Sequence, residues 1–211
     1  MTTTGEKDLG WMELAAAPAD CPWHTPDDIV AHWAGLEPKA KTFVKALRAC
    51  TQHDVARTGG RWYLRYRLPK VSFVGGPPAA SPALPKHVVD AGRTLPADLL
   101  ALYSVHDGFG LEGSSVAVPP SWEVVDGLQP VAKLEVLSAV CGRSPEGVPD
   151  EDPTSLLAFA VEGAGERIGI YKQYAGNPYK DACRWDHETH EVAKVGPVLT
   201  VLTRKWLARL R

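Results

Sequence analysis

The sequence predicts an α+β fold in which antiparallel strands pack against helices. Three observations support this prediction. Apolar residues recur at helical spacing near both ends of the chain, several short segments alternate apolar with polar residues, and turn-forming residues separate neighbouring strands by a few positions. Strands joined by such short connections pair antiparallel, because a parallel pair needs a long crossover. At 211 residues, of which 45% are hydrophobic, the chain can bury a sizeable core.

The first 86 residues are predicted to form a mainly helical N-terminal extension that packs on the rest of the chain. Apolar residues at helical spacing predict helices over residues 9–17, 25–35 and 38–56. The second has the clearest start, because Thr25 can cap it, Pro26 suits its first turn and two aspartates follow. Residues 61–68 instead alternate apolar with mostly basic side chains, which predicts a strand, and residues 75–85 form a proline-rich loop.

A short amphipathic helix is predicted within residues 95–108. Thr94 is a candidate N-cap, Pro96 suits the first turn, and Gly108 can supply a left-handed stop. The predicted apolar face comprises Leu95, Leu99, Leu102 and Tyr103, with Leu100 beside them. This pattern explains a buried helix and assigns it no chemistry.

The remaining residues are predicted to form short antiparallel strands and a closing helix. Strands are expected at 115–118, 122–125, 155–161, 167–171, 183–185 and 191–194. A helix or turn is expected near 131–140, a polar surface loop at 143–153, and the closing helix at 197–210. Four of the seven tryptophans are expected to pack in the core: Trp33, Trp62, Trp185 and Trp206.

Composition narrows the class of protein and its compartment. A formal net charge of −2 argues against nucleic acid or an anionic membrane as the partner. The N-terminal residues do not resemble a signal peptide, and no apolar run reaches the roughly 20 residues that span a bilayer. The four cysteines are far apart and are expected to be free thiols. We therefore expect a cytoplasmic monomer.

Charge is distributed unevenly along the chain. Residues 61–94 carry six basic and one acidic side chain, a net charge of +5, whereas residues 95–160 carry two basic and ten acidic ones, a net charge of −8. An acidic surface can steer a cationic partner and speed its capture. The alternative is a solvated face that only aids solubility. The basic side chains of Arg61, Arg65 and Arg67 are weak evidence for a nucleic-acid contact.

Two motifs that suggest cofactor or metal chemistry have the wrong context for it. Residues 108–113 match G-x-G-x-x-G, but the dinucleotide motif needs a strand before it and a helix after it, and the order here is reversed. The residues His187-Glu188-Thr189-His190 lack the H-E-x-x-H spacing and lie on a predicted hairpin tip. No nucleophile motif is present. We therefore expect no enzyme activity, no cofactor and no metal.

Four segments, in order, resemble motifs of the SUKH superfamily (Smi1/Knr4-like proteins). Residues 95–108 are similar to the family's Leu-Pro-x-Asp helix, and residues 156–166 to its strand and acidic glycine turn. Residues 182–188 resemble its late strand and Asp-His-Glu turn, and the closing helix from Pro197 is similar in place and pattern. The resemblance covers about residues 88–210, so residues 87–211 are expected to form a SUKH-like α+β domain with a twisted antiparallel sheet.

The resemblance implies a bacterial immunity protein, which binds and neutralises a cognate polymorphic toxin such as a nuclease. A toxin of that kind has a basic cleft that an acidic surface can fill. The predicted partner-binding residues are Asp107, Glu112, Trp122, Glu123, Asp126, Glu146, Asp150, Glu151 and Asp152, with Trp122 as an aromatic anchor. The alternative function is a non-catalytic regulatory scaffold that binds an endogenous protein.

Overall fold

The structure is a computed structural model that describes ten ranges of the chain. These ranges are 8–79, 83–92, 94–112, 124–129, 134–138, 155–162, 166–171, 181–186, 188–189 and 192–210. The described residues form an α+β fold of antiparallel strands and helices, which confirms the predicted fold class.

The described ranges contain eleven strands and five α-helices. The strands are β1 (Leu9–Glu13), β2 (Gln52–Thr58), β3 (Arg61–Arg67), β4 (Ser72–Gly75), β5 (Phe109–Glu112), β6 (Val124–Leu128), β7 (Glu135–Ser138), β8 (Ser155–Glu162), β9 (Glu166–Tyr171), β10 (Asp181–Trp185) and β11 (Val192–Pro197). The helices are α1 (Pro26–Trp33), α2 (Glu37–Arg48), α3 (Lys86–Asp90), α4 (Ala97–Tyr103) and α5 (Val198–Leu210).

All strands belong to one antiparallel sheet in the order β1-β2-β3-β4-β5-β6-β8-β9-β10-β11. Strand β8 is long enough to pair with two strands along the same edge, β6 near its carboxyl end and β7 near its amino end. Strands β4 and β5 pair directly, so the sheet runs without a break from the first 86 residues into the rest of the chain.

The prediction of a mainly helical extension is wrong, because the first 86 residues contribute four strands. Residues 9–13 form β1 and continue into a single 3-10 turn, instead of one helix. The predicted helix at 38–56 is also too long, since α2 ends at Arg48 and β2 follows. Strand β2 pairs along its whole length with β3 in a hairpin that turns at residues 59–60, and this pairing outweighs the helical spacing of its apolar residues.

The predicted start of α1 is confirmed in detail. The amide of Asp28 donates to Oγ1 of Thr25 at 3.2 Å, and the amide of Thr25 donates to Oδ2 of Asp28 at 2.8 Å. This reciprocal capping box pairs two backbone amides at the helix start and accounts for the clear signal in the sequence.

Helix α4 is shorter than predicted and has a different start. Its N-cap residue is Pro96, and no side chain caps it, so the predicted cap at Thr94 is wrong. The predicted apolar face is confirmed, since Leu95, Leu99, Leu102 and Tyr103 are buried. Leu100 is 42% exposed, because one residue along a helix turns the side chain by about 100° away from Leu99.

Predictions for the later strands are confirmed except in one region. Strands β8 and β9 pair across their tight turn, and β10 pairs with β11. The helix or turn expected near 131–140 is wrong where the structure describes it, because residues 135–138 form β7 against β8. Residues 115–118 and the loop at 143–153 lie outside the described residues.

Side chains from both halves of the chain form one core. The rings of Phe43 on α2 and Trp206 on α5 lie 5.1 Å apart, and Phe109 on β5 lies 4.9 Å from Trp206. Trp33 on α1 lies 5.3 Å from Phe109. All four tryptophans assigned to the core are buried, as predicted.

Two further predictions can be compared with the described residues. Cys21 and Cys50 are buried free thiols, as predicted, Cys183 is also buried, and Cys141 lies outside these residues. Within the described part of the chain, no helix is both long and apolar enough to cross a membrane.

Candidate partner-binding surface

The predicted acidic surface begins at the turn from α4 into β5. The amide of His106 donates to the carbonyl of Leu102 at 3.0 Å, which extends the last helical turn. Gly108 then adopts a left-handed φ of 86°, which a residue without Cβ tolerates well. Asp107 is held in this turn, because its amide donates to the carbonyl of Pro77 at 2.9 Å. The left-handed role predicted for Gly108 is confirmed.

The carboxylate of Asp107 is paired within the chain. Its Oδ2 accepts a hydrogen bond from Nη2 of Arg61 on β3 at 2.5 Å. The Asp107 side chain is 15% exposed and that of Arg61 is 36% exposed. Because a guanidinium lies so close, the pair presents little net charge to a distant partner.

Glu112, at the end of β5, belongs to a larger ion-pair network. Its Oε1 accepts a hydrogen bond from Nη1 of Arg65 at 3.1 Å. Arg65 also donates through Nε and Nη2 to Oδ2 of Asp54, at 2.9 and 2.5 Å, and Nε of Arg67 lies 2.8 Å from the same oxygen. The Asp54 and Arg65 side chains are 7% and 14% exposed, so the centre of this network is largely shielded from water, whereas Arg67 is 50% exposed.

Trp11 on β1 covers part of the network. The guanidinium carbon of Arg65 lies 4.3 Å from the centroid of the Trp11 ring, within the range of a cation–π interaction. Neither Trp11 nor Asp54 was predicted to belong to a site, since both lie in segments predicted as helices. The strand pairing that sets Asp54 opposite Arg65 joins residues 11 positions apart in sequence.

The basic and acidic segments of the sequence are neighbours in the fold. Strands β3 and β5 flank β4, so arginines from residues 61–94 meet carboxylates from residues 95–160. The opposite charges of the two segments therefore partly neutralise each other where β3, β4 and β5 lie side by side. The arginines weighed as a nucleic-acid contact, Arg61, Arg65 and Arg67, all form ion pairs with carboxylates.

Asp126 lies on β6, the strand beside β5. Gly110 pairs with Gly127 and Leu111 pairs with Val125, so Asp126 is the extra residue of a β-bulge. Bulges bend a strand and change the direction of its side chains, and they are frequent next to functional sites. The structure therefore places the backbone of Asp126 on β6, next to the strand that carries Glu112.

The other predicted contact residues lie outside the described residues. They are Trp122, Glu123, Glu146, Asp150, Glu151 and Asp152. The part of the surface that the structure describes is therefore its beginning, at Asp107, Glu112 and the backbone of Asp126.

A buried chain of hydrogen bonds holds the segment that carries Asp107. Nε1 of Trp33 donates to the Tyr66 hydroxyl at 2.8 Å, that hydroxyl lies 2.8 Å from Nε2 of His106, and Nδ1 of His106 lies 2.6 Å from the carbonyl of Gly76. An indole N–H can only donate and a carbonyl can only accept. In neutral His106 the proton is therefore on Nδ1, and Tyr66 donates to Nε2.

His106 is suited to remain uncharged in this environment. It is 1% exposed, and burial lowers its pKa to about 4. Both ring nitrogens have partners, so the neutral form leaves no hydrogen-bonding group unpaired. A Cβ at position 75 would lie 2.5 Å from the imidazole ring, so the ring occupies the space that glycine at this position leaves free. His106 is therefore a packed structural histidine.

The two motifs weighed as cofactor or metal sites have the context that the sequence predicted. Helix α4 precedes Gly108 and β5 follows it, which is the reverse of a dinucleotide-binding motif. In the other motif, Oδ1 of Asp186 accepts hydrogen bonds from the amides of Glu188 and Thr189, which makes a turn. His187 and His190 lie outside the described residues, and no metal-binding group of three or more His, Cys, Asp or Glu side chains is found among those described.

Comparisons with models of protein families, with curated proteins and with solved structures found no match to this chain.

Proposed function

We propose that this protein is an immunity protein that binds and neutralises a cognate bacterial toxin acting in the cytosol, and that it catalyses no reaction itself. The observation that carries the proposal is the acidic segment over positions 95–160, which contains ten carboxylates and two basic residues. The resemblance of α4 and three later segments to SUKH motifs supports it.

The described contacts assign partners to two of the predicted acidic residues. Asp107 and Glu112 are bound by Arg61 and Arg65, so we assign them to holding the start of the surface against the sheet. The attraction of a basic toxin cleft then falls to the remaining acidic residues, which are Glu123, Asp126, Glu146, Asp150, Glu151 and Asp152. Trp122 is the proposed aromatic anchor, because aromatic side chains concentrate binding energy at interfaces.

The gene neighbourhood separates this function from that of a regulatory scaffold. A toxin and its immunity protein are expected side by side, whereas the partner of a scaffold can be encoded anywhere. The first test expresses the C-terminal domain of the neighbouring protein with and without this chain. We expect that domain to stop growth alone, and this chain to restore growth and to bind the purified domain.

The second test examines the acidic surface itself. In the triple variant E123K/D126K/D150K, we expect affinity for the neighbouring domain to fall at least about tenfold, because like charges then face a basic cleft. Binding by this variant should also depend less on salt concentration than binding by the wild type does. The matched control E13K/D90K/E188K makes the same change in net charge at three exposed carboxylates outside the surface, and should bind as wild type.

Two results contradict different parts of the proposal. If the neighbouring domain is harmless, or if this chain fails to inhibit it, the immunity function is wrong. If inhibition occurs but the triple variant binds as tightly as its control at low and moderate salt, the function stands and the acidic surface is wrong.

A further inference from the structure

We propose a second binding site, in a crevice between α2 and α5, that takes an acidic amphipathic segment of a protein partner. None of the predicted partner-binding residues that the structure describes lines this crevice, and its argument does not depend on the immunity function. It rests on the shape of the crevice, on the charge of its two helices and on the apolar side chains at its base.

Helices α2 and α5 pack through their buried rings and leave an open crevice beside this contact. Its volume is about 500 Å³, within the range of ordinary ligand sites. Its walls come from both helices, through Pro38, Lys39, Ala40, Lys41, Thr42 and Phe43 on α2 and Thr200, Thr203, Arg204, Leu207 and Ala208 on α5. The α2 wall includes an irregular residue, since Ala40 has φ −133° and ψ 35°.

The two helices that form the crevice are strongly basic. Together they carry seven Lys or Arg side chains and one acidic side chain, Glu37. Lys39 and Arg48 have carboxylate partners: Nζ of Lys39 lies 2.5 Å from Asp98 on α4, and Arg48 lies 2.8 Å from Glu37. Over the two helices themselves, seven cations and one carboxylate give a formal charge of +6.

Two cations stand on opposite walls of the crevice and have no carboxylate partner among the residues that the structure describes. Lys41 on α2 and Arg204 on α5 are exposed, and neither forms an ion pair with any of the described residues. Lys45, one turn further along α2, is exposed and likewise forms no ion pair with any of the described residues. Such cations attract a partner's carboxylates more strongly than paired cations do, because no competing carboxylate has to be displaced.

The base of the crevice is apolar. Phe43 is fully buried, Ala40 is 7% exposed, and Leu207 packs partly buried against the core. Exposed hydroxyls of Thr42 and Thr200 lie on the walls. Cations at the sides and an apolar base match a segment with carboxylates on one side and a Leu-like side chain on the other, as when a helix lies in a groove.

Nucleic acid is a poorer match for the same crevice. Single-stranded nucleic acid is bound through aromatic rings on which bases stack, together with a basic groove. The one aromatic ring that lines the crevice within the described residues, that of Phe43, is fully buried. The observations therefore favour an acidic polypeptide.

Amide chemical shifts provide the test. The probe is a synthetic peptide of about 14 residues with Glu and Leu at helical spacing, titrated into the full-length ¹⁵N-labelled protein. We expect the amide signals of residues 39–43 and 200–208 to shift most. In the variant K41E/R204E the affinity should fall at least about tenfold, because two attractions become repulsions. The control K86E/R184E reverses two exposed cations elsewhere and should bind as wild type.

Matched probes decide against the proposal if it is wrong. The same peptide with Gln in place of Glu should shift these signals far less. Equal effects of the two peptides, no shifts at millimolar peptide, or unchanged binding by K41E/R204E would each overturn the site. A single-stranded oligonucleotide that shifts the crevice signals more than the Glu peptide would overturn the choice of partner. Amide signals from the strands that match those of the wild type report that the variants remain folded.

Discussion

The side chain of His106 connects three parts of the core. Its ring hydrogen-bonds to Tyr66 on β3 and to the carbonyl of Gly76 after β4, and it stacks on Phe109 at 5.3 Å. Only the neutral imidazole satisfies these partners, because Nε2 must accept a hydrogen bond from the Tyr66 hydroxyl. The stability of the turn at Asp107 should therefore depend on the protonation of a residue that no solvent reaches.

Acid is expected to destabilise the protein through His106. Its folded-state pKa of about 4 lies below the ordinary value of 6.5, so the unfolded chain takes up the proton first. The stability that His106 contributes is complete above about pH 6.5 and is lost as the pH falls towards 4, a loss of about 3 kcal/mol at pH 4. Urea unfolding at a series of pH values measures it.

The variant His106→Phe is the control for this pH effect. It should be less stable than wild type at pH 7, because Tyr66 and Gly76 lose their partner, but its stability should fall less on acidification. Burial also lowers the pKa of His53, and this residue contributes equally to both proteins. An equal loss of stability in the two proteins between pH 7 and pH 4 would show that the acid destabilisation comes from groups other than His106.

Strands β2, β3 and β5 are joined across the sheet by side chains as well as by backbone hydrogen bonds. Arg65 on β3 bonds to Asp54 on the neighbouring strand and to Glu112 two strands away. Asp54 is 7% exposed, so the guanidinium groups take the place of water around its carboxylate. Breaking a buried pair leaves an uncompensated charge, which costs more than losing an exposed pair.

Replacing Arg65 by Met is expected to lower the free energy of unfolding by about 2 to 4 kcal/mol, with Arg67 left as the remaining partner of Asp54. Denaturant unfolding at pH 7 measures the change. The control is Arg48→Met, which removes an exposed pair with Glu37 and should cost less than about 1 kcal/mol. The double variant D54N/R65M should cost less than the sum of its single changes. Equal costs for the two Met variants would show that the network is not stabilising.

The chain as a whole has one sheet and one core that cross the predicted domain boundary at residue 86. Strand β4 pairs with β5 across it, and Phe43 packs on Trp206. Without residues 1–86, β5 would lose a partner strand and α5 would lose its main apolar contact. The two parts therefore behave in this structure as one unit.

We expect a fragment of residues 87–211 not to fold alone, because the exposed edge of β5 and the uncovered face of Trp206 have no substitute. The full chain should unfold in a single transition. Far-ultraviolet circular dichroism and tryptophan fluorescence should report the same midpoint. A folded fragment, or two separate transitions in the full chain, would contradict this expectation.

Elements with a strong local signal could be predicted from the sequence. The alternation over Arg61–Arg67 is a property of neighbouring residues, as is the capping box at Thr25, and both are confirmed. Strands β1, β2 and β7 carry no such alternation. In β2 the consecutive residues 53–56 are all buried, so neither face is marked as polar. Their partners, and not their own residues, make them strands.

The acidic residues of the candidate surface could be found from composition, but the ion pairs that they form could not. Ten carboxylates in 95–160 are visible in the sequence, including Asp107 and Glu112. That these two meet Arg61 and Arg65 could not be seen, because the partners lie 46 and 47 positions away. The basic crevice was missed for the same reason, since α2 and α5 stand at opposite ends of the chain.

The sequence by itself determined the fold class, the buried face of α4, the left-handed turn at Gly108 and the uneven charge. Each depends on residues close together in the chain, whose spacing and conformational preferences act locally. Only the tertiary structure decided which carboxylates and cations meet and how the first 86 residues join the sheet. These outcomes depend on distant segments meeting, and electrostatic and apolar contacts act through distance in space rather than along the chain.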